Sequence, residues 1–220
     1  VVVNDFAAVA RALPMLKPAD LEKVGGGKAA QREPLVVLGP GSGLGVALLV
    51  PVEGSWVVVA GEGGNAGIAT ATPREALVVD ALRDSTGYCA AETLLSGPGL
   101  VRTHTVLTEL AGGEPQTLTP AGISAAAERG EPLAIEAREI FFDLLGSLAG
   151  DLALASGARG GVYIAGGIVP KLLKAFVASG FRERFEAKGR YRPYLAAIPT
   201  FVITAPTPAL IGLRKLLGHR

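Results

Sequence analysis

From Leu35 to Val52 the chain carries no charged side chain. A run of that length is near the lower limit for a helix that spans a bilayer, so it forces a choice between a membrane segment and the interior of a globular fold. Its middle reads Gly39-Pro40-Gly41-Ser42-Gly43-Leu44-Gly45. Glycine costs ~1 kcal/mol and proline ~3 kcal/mol in a helix interior, so no helix holds through this segment. Two apolar strands joined by a glycine-rich turn fit the same residues. The N-terminus also lacks the basic, apolar and small-residue succession of a secretion signal. The chain is therefore expected to be soluble, with no membrane partner.

Composition narrows the class further. With 220 residues, 49% of them apolar, and a mean hydropathy of +0.40, the chain can bury a large core. A net charge of +1 excludes disorder for most of it. Lys and Arg (21) nearly cancel Asp and Glu (20), which leaves no electrostatic footprint for nucleic acid. The single cysteine, Cys89, rules out an internal disulfide and a cysteine-based zinc cluster. His104 and His219 stand far apart, so no protein-held metal site is expected. A reducing, cytoplasmic setting is the matching expectation.

Three β-rich runs, Pro34–Leu38, Leu44–Pro51 and Ser55–Ala60, are separated by turn residues and predict an antiparallel meander. Helices are predicted over Phe6–Leu13, from Thr72-Pro73 to about Thr86, from Gly97 to about Gly112, over Pro120–Arg129 and Pro132–Ser156, over Pro170–Ser179, and over Pro208–Leu217. The uninterrupted apolar runs Val162–Ala165 and Phe201–Ile203 read as parallel strands buried on both faces. Together these predict an α/β fold, a mixed sheet covered by helices. Val1–Val3 reads as a buried strand at the first residue of a chain without an initiating methionine, which leads to the expectation of an N-terminal truncation.

Five segments are chemical candidates. Asn4-Asp5 follows an apolar run, and a carboxylate at a strand's carboxyl end lies where open α/β sheets bind ligands; the blander role is the N-cap of the next helix. In Gly39–Gly45 the backbone amides of Gly39, Gly41 and Gly43 can approach phosphate oxygens, with the Ser42 hydroxyl beside them. That segment is not a P-loop, and a plain hairpin turn is its alternative. No Lys or Arg lies between Arg32 and Arg74, so a phosphate there would meet amides rather than a cation. Glu62 and Asn65, set among glycines, offer acceptors and donors for sugar hydroxyls, or form a surface turn. Glu92, ahead of Leu95-Ser-Gly-Pro-Gly-Leu100, is a cap or a ligand contact. Gly166-Gly167 closes an apolar strand, which permits close approach of a flat group such as adenine or simply tight strand–helix packing.

Taken in this order, the segments resemble bacterial-type glucokinases of the actin-like ATPase and sugar kinase superfamily. The resemblance rests on Asn4-Asp5-Phe6, Gly39-x-Gly-Ser-Gly-Leu-Gly45, Gly61-Glu-Gly-Gly64, Glu92 with Leu95–Leu100, and Gly161-Val-Tyr-Ile-Ala-Gly-Gly-Ile-Val-Pro170. It continues through Ser179-Gly-Phe-Arg182, Phe185–Arg190 and Ile198-Pro199, and so covers nearly the whole chain. It implies a ribonuclease H-like, actin-like ATPase fold that transfers phosphate from ATP, with Mg²⁺, to the 6-hydroxyl of glucose or a related hexose. Asp5 would be the catalytic base, and Asn4, Glu62, Asn65 and Glu92 would bind sugar. Gly39, Gly41, Ser42 and Gly43 would meet ATP phosphates, and Gly166 and Gly167 the adenosine. The implied division is a small-lobe remnant over residues 1–13, a large domain over 14–205 and a returning helix over 206–220, with a homodimer possible. Two departures stand out: Asn65 replaces the family's His, and the family's Asp-x-Gly-Gly-Thr phosphate motif is absent and would lie upstream of Val1. The isolated piece is then expected to be inactive, and a non-catalytic sugar-binding regulator on the same fold is the alternative.

Overall fold

The computed structural model describes residues 4–217; the strand expected at Val1–Val3 lies outside them. Asn4 caps helix α1 (Asp5–Ala12), its side-chain oxygen accepting the Ala7 amide at 3.0 Å. That contact satisfies one of the donors a helix leaves free in its first turn. The capping role therefore falls to Asn4, and Asp5 is the first helical residue. Two 3-10 turns, Leu13–Met15 and Pro18–Asp20, lead to strand β1 (Leu21–Val24), which the sequence pattern did not disclose.

Strands β2 (Leu35–Pro40), β3 (Leu44–Val52) and β4 (Ser55–Gly61) form the expected meander, with Leu35 opposite Leu49, Gly39 opposite Gly45, and Leu48 opposite Val59. Helix α2 (Pro73–Ala81) opens with a capping box in which Thr72 accepts the Glu75 amide at 3.1 Å and Glu75 accepts the Thr72 amide. It ends at Ala81 and does not continue to Thr86. The physical reason is Asp84, whose carboxylate accepts the Thr86 and Tyr88 amides and folds the chain into a turn.

Helices α3 (Ala91–Leu94), α4 (Gly97–Leu110), α5 (Pro120–Glu128) and α6 (Pro132–Ser156) follow. The long α6 stops at Gly157, whose φ of 63° is the left-handed conformation that terminates helices. Strand β5 (Gly161–Ile164) leads into a segment expected to be one helix over Pro170–Ser179. That segment is divided into a 3-10 turn at Val169–Leu172 and α7 (Leu173–Val177). The chain closes with α8 (Phe181–Glu186), α9 (Arg192–Ala196), β6 (Thr200–Ile203) and α10 (Pro208–Leu217).

The six strands form one mixed sheet in the order β1-β6-β5-β2-β3-β4, with β2, β5 and β6 parallel and the remaining pairs antiparallel. Side-chain alternation along β2 divides two cores. Val36 and Leu38 join Val162, Ile164, Phe142 and Phe176 on one face, and Leu35 and Val37 join Tyr163, Leu49 and Val9 of α1 on the other. Because β5 is buried on both faces, its run is apolar without alternation. Parallel β2 and β5 also bring their carboxyl ends to one edge of the sheet. The hairpin turn and Gly166 meet there, with Gly166 packed against the Pro40 carbonyl. In open α/β sheets this edge is where ligands bind.

Candidate active site

The turn between β2 and β3 is closed internally. The Gly41 amide donates to the Gly43 carbonyl at 2.8 Å, and the Gly41 carbonyl accepts the Gly97 amide at the start of α4, also at 2.8 Å. The Leu44 amide donates to Glu92 Oε2 at 2.7 Å. Among the described residues this leaves the amides of Ser42 and Gly43, with the Ser42 hydroxyl, as donors without a protein partner at the tip. Free amides and a hydroxyl at a turn are available to donate to an anion.

Close approach to backbone requires glycine at position 64, and at Gly43 a side chain would push the Glu92 carboxylate aside. A Cβ on Gly43 would stand 2.5 Å from Glu92 Oε2, and one on Gly64 would strike the Leu44 carbonyl. Leu44 is thus held between the Glu92 helix on its amide side and the Glu62–Asn65 turn on its carbonyl side. The Phe6 ring occupies the space beside Gly39 and Gly45, which sets Asp5, one residue earlier, at the rim of the same hairpin.

A cavity of about 360 Å³ gathers Asn4, Asp5, Ser42, Glu62, Glu92 and Gly166, with Gly39, Gly41 and Gly43 along its wall. Its size falls within the ~300–1,000 Å³ typical of small-ligand sites. Three carboxylates line it, and no Lys or Arg does. Asp5 is exposed, and its Oδ1 accepts the Phe6 amide at 2.8 Å. Acceptors without a cation suit a neutral ligand rich in hydroxyl donors.

Two expected site residues sit elsewhere. Asn65 lines an adjoining chamber of about 640 Å³ with Tyr88, Thr93 and Arg102, and Ser42 and Glu92 form the wall shared by the two chambers. Gly167 lines a third, more apolar cavity of about 440 Å³ with Leu100, Pro120, Ile168 and Lys171. Gly166 and Gly167 thus face different spaces. Sequence reasoning missed Tyr88, whose hydroxyl donates to the Asn65 carbonyl at 2.6 Å. In the sequence it is marked only by its position just past the predicted helix end near Thr86. The Asp84 carboxyl that holds this turn lies below the ordinary carboxylate range, chiefly through the Thr86 hydroxyl and then the Tyr88 and Thr86 amides.

The mixed sheet, with its antiparallel hairpin and three carboxylates gathered at one edge, is the α/β frame of a small-ligand-binding protein. The profile of the glucokinase family matches residues 1–219. The glucokinase of Paramagnetospirillum magneticum is 49% identical over 218 residues, covering 98% of this chain and 68% of its own length. That of Nitrobacter hamburgensis is 46% identical over 217 residues, again 98% and 68%. Among solved structures, a glucokinase from an Antarctic psychrotroph superposes with a TM-score of 0.92 at 36% identity, over 100% of this chain and 68% of that one. A ROK family glucokinase from Streptomyces griseus, solved with glucose and AMPPNP, shares the fold at a TM-score of 0.62 and 21% identity, over 98% and 67%. The chain belongs to the glucokinase family. It spans about two thirds of the length of these relatives.

Among the described residues no helix is long and apolar enough to cross a membrane.

Proposed function

We propose that the complete protein carrying this sequence phosphorylates glucose from ATP, with the sugar's 6-hydroxyl at Asp5 and the transferred phosphate over the Gly39–Gly43 turn. The observation that carries this is the placement of Asn4, Asp5, Glu62 and Glu92 in one cavity whose wall is the glycine hairpin. Asn4, Glu62 and Glu92 orient the hexose through its other hydroxyls, and Asn65 reaches it from the adjoining chamber. The Asp5 carboxylate accepts the 6-hydroxyl proton as the sugar oxygen bonds to the γ-phosphorus and the bond to the β-phosphate oxygen breaks, releasing ADP. Such a transfer depends on positioning and charge stabilisation more than on covalent chemistry. The free amides of Ser42 and Gly43 supply two donors for the phosphate oxygens. Adenosine lies toward Gly166 and Gly167, and the apolar walls of the third cavity suit its base.

Mg²⁺ accompanies ATP in this reading. Among the described residues no three His, Cys, Asp or Glu converge on one point, so those side chains form no cage for the ion. Residues 1–13 and 206–220 are assigned to the border of a smaller lobe, and 14–205 to the large one. The close packing of Gly212 of α10 on Ala8 and Ala12 of α1 supports pairing the two ends.

The test is the product. The complete protein that carries this sequence, incubated with ATP and glucose, should give a sugar phosphate whose proton–phosphorus NMR couplings place phosphate on the 6-oxygen. Phosphate on another oxygen, or none, contradicts the proposal.

A further inference from the structure

The turn after α2 is built with more hydrogen bonds than an exposed loop needs. The Asp84 amide donates to the Tyr88 carbonyl at 2.9 Å, the Gly87 amide returns to the Asp84 carbonyl at 2.9 Å, and Arg83 Nη1 donates to the Gly87 carbonyl at 2.8 Å. The Asp84 carboxylate holds the Thr86 amide and hydroxyl at 2.7 and 2.6 Å and the Tyr88 amide at 3.1 Å. These bonds set the position of one aromatic residue. Tyr88 is 45% exposed, too open to serve the core. Its ring lies against Gly67, and its hydroxyl spans to the Asn65 carbonyl at 2.6 Å.

The segment it reaches is a short turn, and among the described residues no backbone amide donates to the Asn65 carbonyl. Asn65 ends the 3-10 turn Gly63–Asn65; its amide returns to the Glu62 carbonyl at 2.9 Å, the Ala66 amide to the Gly63 carbonyl at 3.2 Å, Gly67 bridges Ala90, and the Ala91 amide donates to the Ala66 carbonyl at 2.8 Å. Asn65 itself is exposed to the chamber. An exposed carboxamide on a short turn makes a directed hydrogen bond only if its backbone is fixed, because ordering a free side chain and turn costs conformational entropy. The Tyr88 hydroxyl supplies that fixture from outside the sugar site.

We infer that Tyr88 is a positioning residue for hexose selection: it fixes the Asn65 backbone so that the carboxamide meets the sugar in a single orientation. The inference rests on the hexose reading of the site. Tyr88 lies outside the cavity that gathers Asp5 and the glycine hairpin, so its influence falls on hexose affinity rather than on phosphoryl transfer.

A double-mutant cycle in the complete protein tests this, with Tyr88→Phe, Asn65→Ala and the pair. Tyr88→Phe removes one hydroxyl and keeps the ring. Loss of one such hydrogen bond corresponds to about a two- to tenfold change. The glucose KM of Tyr88→Phe should rise by that factor, with kcat and the ATP KM changed less than about twofold. In the Asn65→Ala background, where no carboxamide remains to orient, Tyr88→Phe should leave the glucose KM where it was. An equal rise in both backgrounds, or none in either, overturns the inference. If Asn65→Ala raises the glucose KM but Tyr88→Phe adds to it in full, the hexose reading stands and only the role of Tyr88 fails. If Asn65→Ala has no effect, the sugar contact at position 65 falls and the inference with it.

Discussion

Glu92 Oε2 accepts the Leu44 amide at 2.7 Å, so a carboxylate assigned to the sugar also holds the strand end of the phosphate hairpin. In the proposed site one side chain therefore serves two substrates. Glu92→Ala leaves the part-buried Leu44 amide without its partner, a loss of ~1–3 kcal/mol, and should raise the KM of both glucose and ATP. Glu92→Gln keeps an oxygen acceptor for Leu44 and should raise mainly the glucose KM. Steady-state kinetics on the two variants separates the roles, and an unchanged ATP KM in Glu92→Ala would count against the shared one.

The hairpin glycines are not equivalent probes. A side chain at Gly41 meets nothing within 4 Å, whereas one at Gly43 collides with Glu92. Gly41→Val should raise the ATP KM alone, by about tenfold if it displaces the phosphates from one hydrogen bond to a charged group. Gly43→Ala should raise both KM values because it also moves Glu92. Identical profiles for the two variants would contradict a phosphate position at the turn's tip.

Asn65 is a short neutral donor at the edge of the larger chamber. Imidazole reaches farther across the same gap. Asn65→His should tighten glucose binding by roughly two- to tenfold, one neutral hydrogen bond's worth, with kcat changed less. Calorimetric titration of both proteins reads this, and weaker or equal binding in the His variant would show that position 65 does not face the sugar.

Away from the site, burial pushes the Asp143 carboxyl up to about 6; nearby Arg184 acts against that shift, while Glu75, Glu139 and Glu183 add to it. A carboxyl raised in the folded state contributes stability at low pH that is lost as pH rises from the ordinary carboxylate range to about 6. The fold should therefore lose stability across that window through this group. Asp143→Asn should remove that slope and, at pH 7.5, raise stability by ~1–2 kcal/mol after allowing for partial exposure. Denaturant melts at pH 4, 5, 6 and 7.5 check it; an unaltered slope in the variant would assign the pH response to other groups.

The hairpin was legible because an uncharged run broken by four glycines leaves few other structures, and β5 and β6 because double burial forces unbroken apolar runs. Strand β1 was not, since Leu-Glu-Lys-Val buries only Val24 and becomes a strand through pairing with β6. Helix α3 is too short to show a period, and Ala90 offers no side-chain cap. The end of α2 depended on Asp84 outcompeting helix continuation, a side-chain choice that apolar spacing does not encode. Within the site, residue types marked Asp5, Glu62 and Glu92, but the Tyr88–Asn65 bond joins residues distant in sequence and is a product of the fold alone.

In the proposed mechanism Asp5 takes the proton from the sugar hydroxyl while other residues hold the sugar. Asp5→Asn in the complete protein, with kcat measured alongside glucose affinity by calorimetry, tests this most directly. Asparagine keeps the shape and loses the base. Removal of a general base typically costs ~10²–10⁴-fold in rate, so kcat should fall by that order while glucose affinity stays within about twofold. Turnover at the wild-type rate, with the sugar still bound, would contradict the account.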